Sequence, residues 1–103
     1  MTQEEQKYLE TGRAIDDAIE SQMFGKPCFK INGKAFISFF NNNMVFKLTG
    51  LAHQKALSLP GALLFDPSGR NRPMKEWIEV PFTHSSEWNS LAFESWDYVK
   101  TLK

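Results

Sequence analysis

Apolar positions along the 103-residue chain change period more than once. From Tyr8 through Ile15, Ala18, Ile19 and Met23 they recur at helical spacing. Thr2-Gln3-Glu4-Glu5 precedes them as a capping box, with the Thr2 oxygen accepting from an early N–H and Glu5 reaching back. The spacing predicts a first helix over 3–22, with Gly12 as a point of kinking. The pattern then turns strand-like. Pro27 to Ile31 and Lys34 to Phe40 flank Asn32-Gly33, a two-residue hairpin signal whose residues tolerate φ > 0. Asn41 to Asn43 form a second turn before a strand over Met44 to Leu48. Thr49 is placed to cap a helix over 50–59, which Pro60-Gly61 ends. Ala62 to Phe65 and Met74 to Val80 are the last two strands. A final helix runs from a Ser85 or Ser86 cap to Leu102, with an apolar stripe that includes Trp88, Leu91, Trp96 and Val99. The predicted order is α-β-β-β-α-β-β-α, an α+β domain with one antiparallel sheet and its helices mainly on one face.

Opposed residues in a hairpin share a face. If Ile31 opposes Lys34, one face carries Phe29, Ile31, Phe36, Ser38 and Phe40. A three-residue turn at 41–43 adds Met44, Phe46 and Leu48, which makes this face the core under the helices. The other face carries Cys28, Lys30, Ala35, Ile37, Phe39, Val45 and Lys47. It is less polar than a solvated sheet face. That points either to cover by a chain terminus or to contact with a partner.

The length fits one domain, 1–103. No apolar run approaches the ~20 residues of a membrane span. The acidic MTQEEQKYLE start is unlike a signal peptide, and the single cysteine excludes an internal disulfide. The expectation is a cytoplasmic protein. A formal net charge of zero conceals three blocks. Residues 1–20 hold six acids and two bases, 26–75 eight bases and one acid (Asp66), and 76–103 five acids and two bases. A basic middle between acidic ends marks an anion-binding face or, more simply, acidic helices packed near a basic sheet.

Dedicated chemistry finds little support. Cys28, His53 and His84 lie on separate elements without metal-ligand spacing. Thr83-His84-Ser85-Ser86 reads as a capping turn and Cys28 as a small packer. Asp16 and Glu20 share an exposed face with Arg13, whereas Glu76 and Glu79 sit on opposite strand faces. Ser68-Gly69-Arg70-Asn71-Arg72 lacks phosphate-loop glycine spacing and joins two strands, so it reads as a hairpin tip. Trp77, Trp88 and Trp96 read as packing residues, and the mixed face offers only Phe39 as a stacking aromatic.

Met23-Phe24-Gly25 followed by Cys28 to Phe36, with Val45-Phe46-Lys47-Leu48 and Trp77-Ile78-Glu79-Val80-Pro81, resembles the N-terminal domain family of the TfoX competence regulators. The likeness covers about residues 20–100. Lys26 departs from it, standing where many members have a second glycine, and so does the Pro- and Arg-rich loop Asp66 to Pro73. Met74 to Ile78 and Ser95 to Val99 are also similar to YjbR-like proteins. The resemblance implies a compact α+β domain, a link to regulation, a suggested DNA-binding role and no catalytic residues.

Two functions follow as expectations. The first is a non-enzymatic regulatory domain, without cofactor or metal, that binds a protein or a second copy through Cys28, Lys30, Ala35, Ile37, Phe39, Val45 and Lys47. The alternative is DNA or RNA binding through Lys26, Lys30, Lys34, Lys47, Arg70 and Arg72. An enzyme built on Cys28 ranks last.

Overall fold

A computed structural model describes residues 1–102. Helix α1 (Gln3–Arg13) leads into a meander of β1 (Ile19–Met23), β2 (Lys26–Ile31), β3 (Lys34–Phe40) and β4 (Asn43–Lys47). Then come α2 (Gly50–Ser58), β5 (Leu63–Phe65) and β6 (Met74–Val80), followed by a 3-10 segment (Phe82–Glu87) and α3 (Trp88–Val99). One six-stranded antiparallel sheet has the order β1-β2-β3-β4-β6-β5. The α+β architecture expected from the sequence is therefore present, with one strand more than expected.

That extra strand corrects the first helix. The helix stops at Arg13 rather than at residue 22, and residues 19–23 pair with β2 instead. Asp17 adopts φ +63, which a helix cannot contain. Phe24 and Gly25, at φ +54 and +73, then close a tight hairpin. Asn32-Gly33 and Asn41-Asn42 repeat the device, all four residues having positive φ. Three consecutive two-residue turns of this hand match the twist of the strands they join.

Helix caps follow the sequence only in part. The Thr2 hydroxyl accepts the Glu5 N–H at 3.0 Å, as expected. Thr49 sits at the start of α2 but its side chain makes no cap bond. Neither Ser85 nor Ser86 caps α3, because the 3-10 segment precedes it and hands the chain over at Glu87 and Trp88.

Both sheet faces are filled. Under the helices lie Phe29, Ile31, Phe36, Ile37, Met44, Phe46, Leu48, Ile78 and Val80, joined by Tyr8 of α1 and by Trp88, Leu91 and Val99 of α3. On the other side Val45, Phe65 and Trp77 form a second cluster, with Met23, Ala35, Phe40 and Met74 packed against it. Tyr8 docks α1 by stacking on Phe39 (centroids 5.2 Å apart) and meeting Phe29 edge-on at 5.4 Å.

Gly12 completes that docking. A Cβ there would collide with the Phe29 ring, which is itself buried. Gly12→Ala therefore gains helix propensity, about 1 kcal/mol, but overpacks the core at a cost of about 1–3 kcal/mol. Urea unfolding is expected to show a net loss of stability. A stabilised variant would contradict this packing.

Candidate functional site

Strand register decides which of the expected surface residues reach the surface. A bulge between Phe29 and Lys30 leaves Phe36 as an extra residue in β3, so Phe29 pairs with Ile37 and Lys30 with Ala35. The turn at Asn41-Asn42 has two residues, so Phe40 opposes Asn43 rather than Met44. The bulge reverses the faces of the second half of β3, and the shorter turn then returns β4 to the faces expected for it. Ile37 and Phe39 belong to the core under the helices, and Phe40 joins the opposite cluster. Ser38 pairs with Cys28 and Val45, and its hydroxyl donates to the Pro27 carbonyl at 2.7 Å.

The expected partner surface is accordingly not one exposed patch. Cys28, Ile37 and Val45 are fully buried. Lys30, Ala35, Phe39 and Lys47 are half-buried, with Phe39 under α1. The mixed face owes its apolar character to its own cover: Phe65 packs edge-on against Phe40 at 5.3 Å, and Trp77 lies beside Val45.

The cations fare differently. Strand alternation places Lys26, Lys30 and Lys47 on the face opposite the helices, whereas Lys34 opposes Ile31 and falls on the helix side. The Lys26 ammonium lies 5.2 Å above the Phe40 ring, and that of Lys47 5.9 Å from Trp77. Lys47 also approaches Glu76 at 3.9 Å. Because Phe65 touches Phe40, the loop that follows it starts from this same face.

Asp66 organises that loop. Its Oδ1 accepts the Ser68 hydroxyl at 2.6 Å and the N–H groups of Ser68 and Gly69, both at 3.1 Å. Its Oδ2 accepts the Arg72 N–H at 3.1 Å, and the Ser68 oxygen accepts the Arg70 N–H at 3.1 Å. The Ser68 hydroxyl and these backbone donors hold the Asp66 carboxyl below its ordinary value of 3.8. The result is a shaped tip that presents Arg70 and Arg72, both exposed and without an ion-pair partner among the described residues. The sequence reading missed Asp66 as organiser and Phe40 and Phe65 as supports. Asp-Pro-Ser-Gly was the available signal, since Asp side chains characteristically bond the backbone two residues on.

The histidines and the cysteine weighed for metal or nucleophilic chemistry make contacts within the fold. His53 Nε2–H donates to the Lys75 carbonyl and His84 Nε2–H to that of Pro60, each at 2.7 Å. Both imidazoles tie helical segments to neighbouring backbone. The Cys28 thiol is buried, and that burial pushes its pKa up, opposite to the depression a working nucleophile requires. Among the described residues no three or more His, Cys, Asp or Glu converge as metal ligands, and no helix is long and apolar enough to cross a membrane.

On the helix side a cavity of about 740 Å³ opens between α2 and α3, lined by Leu51, Ala52, Gln54, Lys55, Ser90, Leu91 and Glu94. Leu51 is 82% exposed and Phe93, nearby in sequence on α3, 57%.

Comparison with family models, curated proteins and solved structures found no match to this chain.

Two measurements check this geometry. Alkylation of Cys28 by iodoacetamide is expected to be far slower in the folded protein than in urea; equal rates would contradict a buried, inert thiol. An NMR pH titration should give Asp66 a midpoint below 3.8. A depressed folded-state pKa means the carboxylate stabilises the loop above the unfolded value, and that contribution disappears as pH falls through the folded one. The Ser68, Gly69 and Arg72 amide resonances should therefore move together only in that acid window, and Asp66→Asn should displace them at neutral pH.

Proposed function

We propose that this chain is a small, non-enzymatic regulatory domain that contacts a nucleic-acid backbone through the sheet face opposite its helices. The observation that carries this reading is the shared placement of cations. Lys26, Lys30 and Lys47 lie on that face, and the loop braced by Asp66 follows Phe65, whose ring lies there, with Arg70 and Arg72 unpaired among the described residues. Two arginines on a braced loop, together with lysines held over aromatic rings, suit phosphate contacts that position a duplex without reading its sequence. The charge blocks of the sequence acquire a spatial meaning here. Of the acids, Glu4, Glu5, Glu10, Glu94 and Asp97 ride on α1 and α3, behind the sheet, whereas Glu79 shares the lysine face, where its Oε2 accepts the Asn43 amide. A neutral protein can thus present a basic side to a polyanion and an acidic side to solvent. The resemblance to the TfoX N-terminal family agrees with this reading.

A protein partner is the second reading. Its support is the α2–α3 cavity with Leu51 exposed at its edge, rather than the sheet residues first expected.

Fluorescence anisotropy with a short duplex DNA over a salt series tests the proposal. The logarithm of the association constant should fall linearly with the logarithm of salt concentration, each neutralised phosphate contributing a slope of about −0.9. Arg70→Ala/Arg72→Ala should make the slope shallower by about two and weaken binding equally for unrelated sequences. Lys34→Ala should change neither. Binding indifferent to salt, or an unchanged slope in the double variant, overturns the reading.

A further inference from the structure

Strand β1 is an open edge of the sheet, and its one charged residue, Glu20, is already paired with Arg13. Its five residues, Ile-Glu-Ser-Gln-Met, contain no proline and no lysine. The opposite edge, β5, is only three residues long. An open edge presents unpaired backbone donors and acceptors to any strand that can align. Two large apolar side chains flank this one in the open: Ile19 is 67% exposed and Phe24 62%.

We infer that β1 pairs antiparallel with β1 of a second copy, about a two-fold axis through Ser21. The register follows from elementary constraints. Opposed residues in an antiparallel ladder are both hydrogen-bonded or both non-hydrogen-bonded, so the axis must pass through a residue. An axis through Glu20 sets two carboxylates directly opposite each other, which destabilises a sheet. An axis through Gln22 leaves Ile19 opposite the turn residue Gly25 and sets Glu20 against Phe24. An axis through Ser21 opposes Glu20 to Gln22, Ile19 to Met23 and Ala18 to Phe24. It is the one register of the three that pairs all five residues of β1 without confronting charge. Arg13 already holds Glu20 through a 2.7 Å bond from its Nε, and strand alternation places Glu20 on the helix side with Phe29.

The pairing has a geometric consequence, which rests on the function proposed above. A two-fold axis perpendicular to a sheet leaves equivalent faces on the same side. The two basic faces would therefore form one surface on a twelve-stranded sheet, and two modest sites would act on one polyanion with the gain of a linked pair.

Sedimentation velocity of the full chain over a concentration series gives the first test. A monomer–dimer equilibrium is expected, weak because a single strand pair buries little area. Disulfide trapping gives the register, with oxidised glutathione as the oxidant and Cys28→Ala as background, since Cys28 pairs with Ser21 within the chain. Directly opposed residues lie about 4.5–5.5 Å apart at Cα, inside the span a disulfide bridges. Ser21→Cys should form a covalent dimer in several-fold higher yield than Glu20→Cys or Gln22→Cys, and adding Ile19→Lys should cut that yield several-fold. Wild-type sedimentation does not depend on the background folding. A monomer at every concentration, or equal trapping at all three positions, overturns the inference. A monomer that binds DNA with the expected salt slope removes the dimer and leaves the proposed function standing. A dimer indifferent to DNA does the reverse.

Discussion

The bulge opposite Phe29 is the constraint on which the rest of the domain depends. One extra residue in β3 lets Phe36 and Ile37 both serve the core under the helices, then passes Ser38 and Phe40 to the far side. Without it the alternation would continue unbroken, and Ile37 would face away from α1 and α3. With it, the sheet gains an apolar filling on both faces. The helix side takes the larger share, closed by Tyr8, Gly12 and Trp88. The far side has no helix, so the chain covers it with Phe65, Trp77 and Met74.

That second cover decides what the far face can offer a partner. Its apolar centre is occupied from within, so what it presents outward is the cationic rim. Burial and charge here work in the same direction. Lys26 and Lys47 rest their stems on the cluster and keep their ammonium groups over Phe40 and Trp77, where the ring quadrupole favours them. Asp66 turns both carboxylate oxygens to its own loop, which fixes the tip and leaves both arginine heads without an ion-pair partner among the described residues.

Much of the fold was legible along the chain because it rests on local rules. The hairpin at Asn32-Gly33 follows from residues that tolerate left-handed backbone, as does a turn after Phe40, though not its length of two residues rather than three, and the Thr2 cap follows from a side chain that reaches three residues on. The stripe of α3 follows from helical spacing of Trp88, Leu91, Ala92, Ser95 and Val99. The first helix misled because Ile15, Ala18, Ile19 and Met23 satisfy a helical period while Ile19 and Met23 also satisfy a strand of period two. Local spacing could not choose between them. The choice fell to Asp17 at positive φ and to the free edge of β2, which accepts β1 as a partner.

The candidate site divides along the same line. Residue types determined by themselves that this chain carries a basic middle, a lone cysteine without metal-ligand company and an arginine-bearing tip. Only the tertiary structure decided which of those cations share a face. A side chain on a strand points by parity, and parity is reset by every bulge and every turn of one residue more or less. Lys26, Lys30 and Lys47 kept company through that resetting and Lys34 did not, while Ile37 and Phe39 left the surface they were expected to form. Composition survives any register; the assembly of a surface from it requires the register to be known.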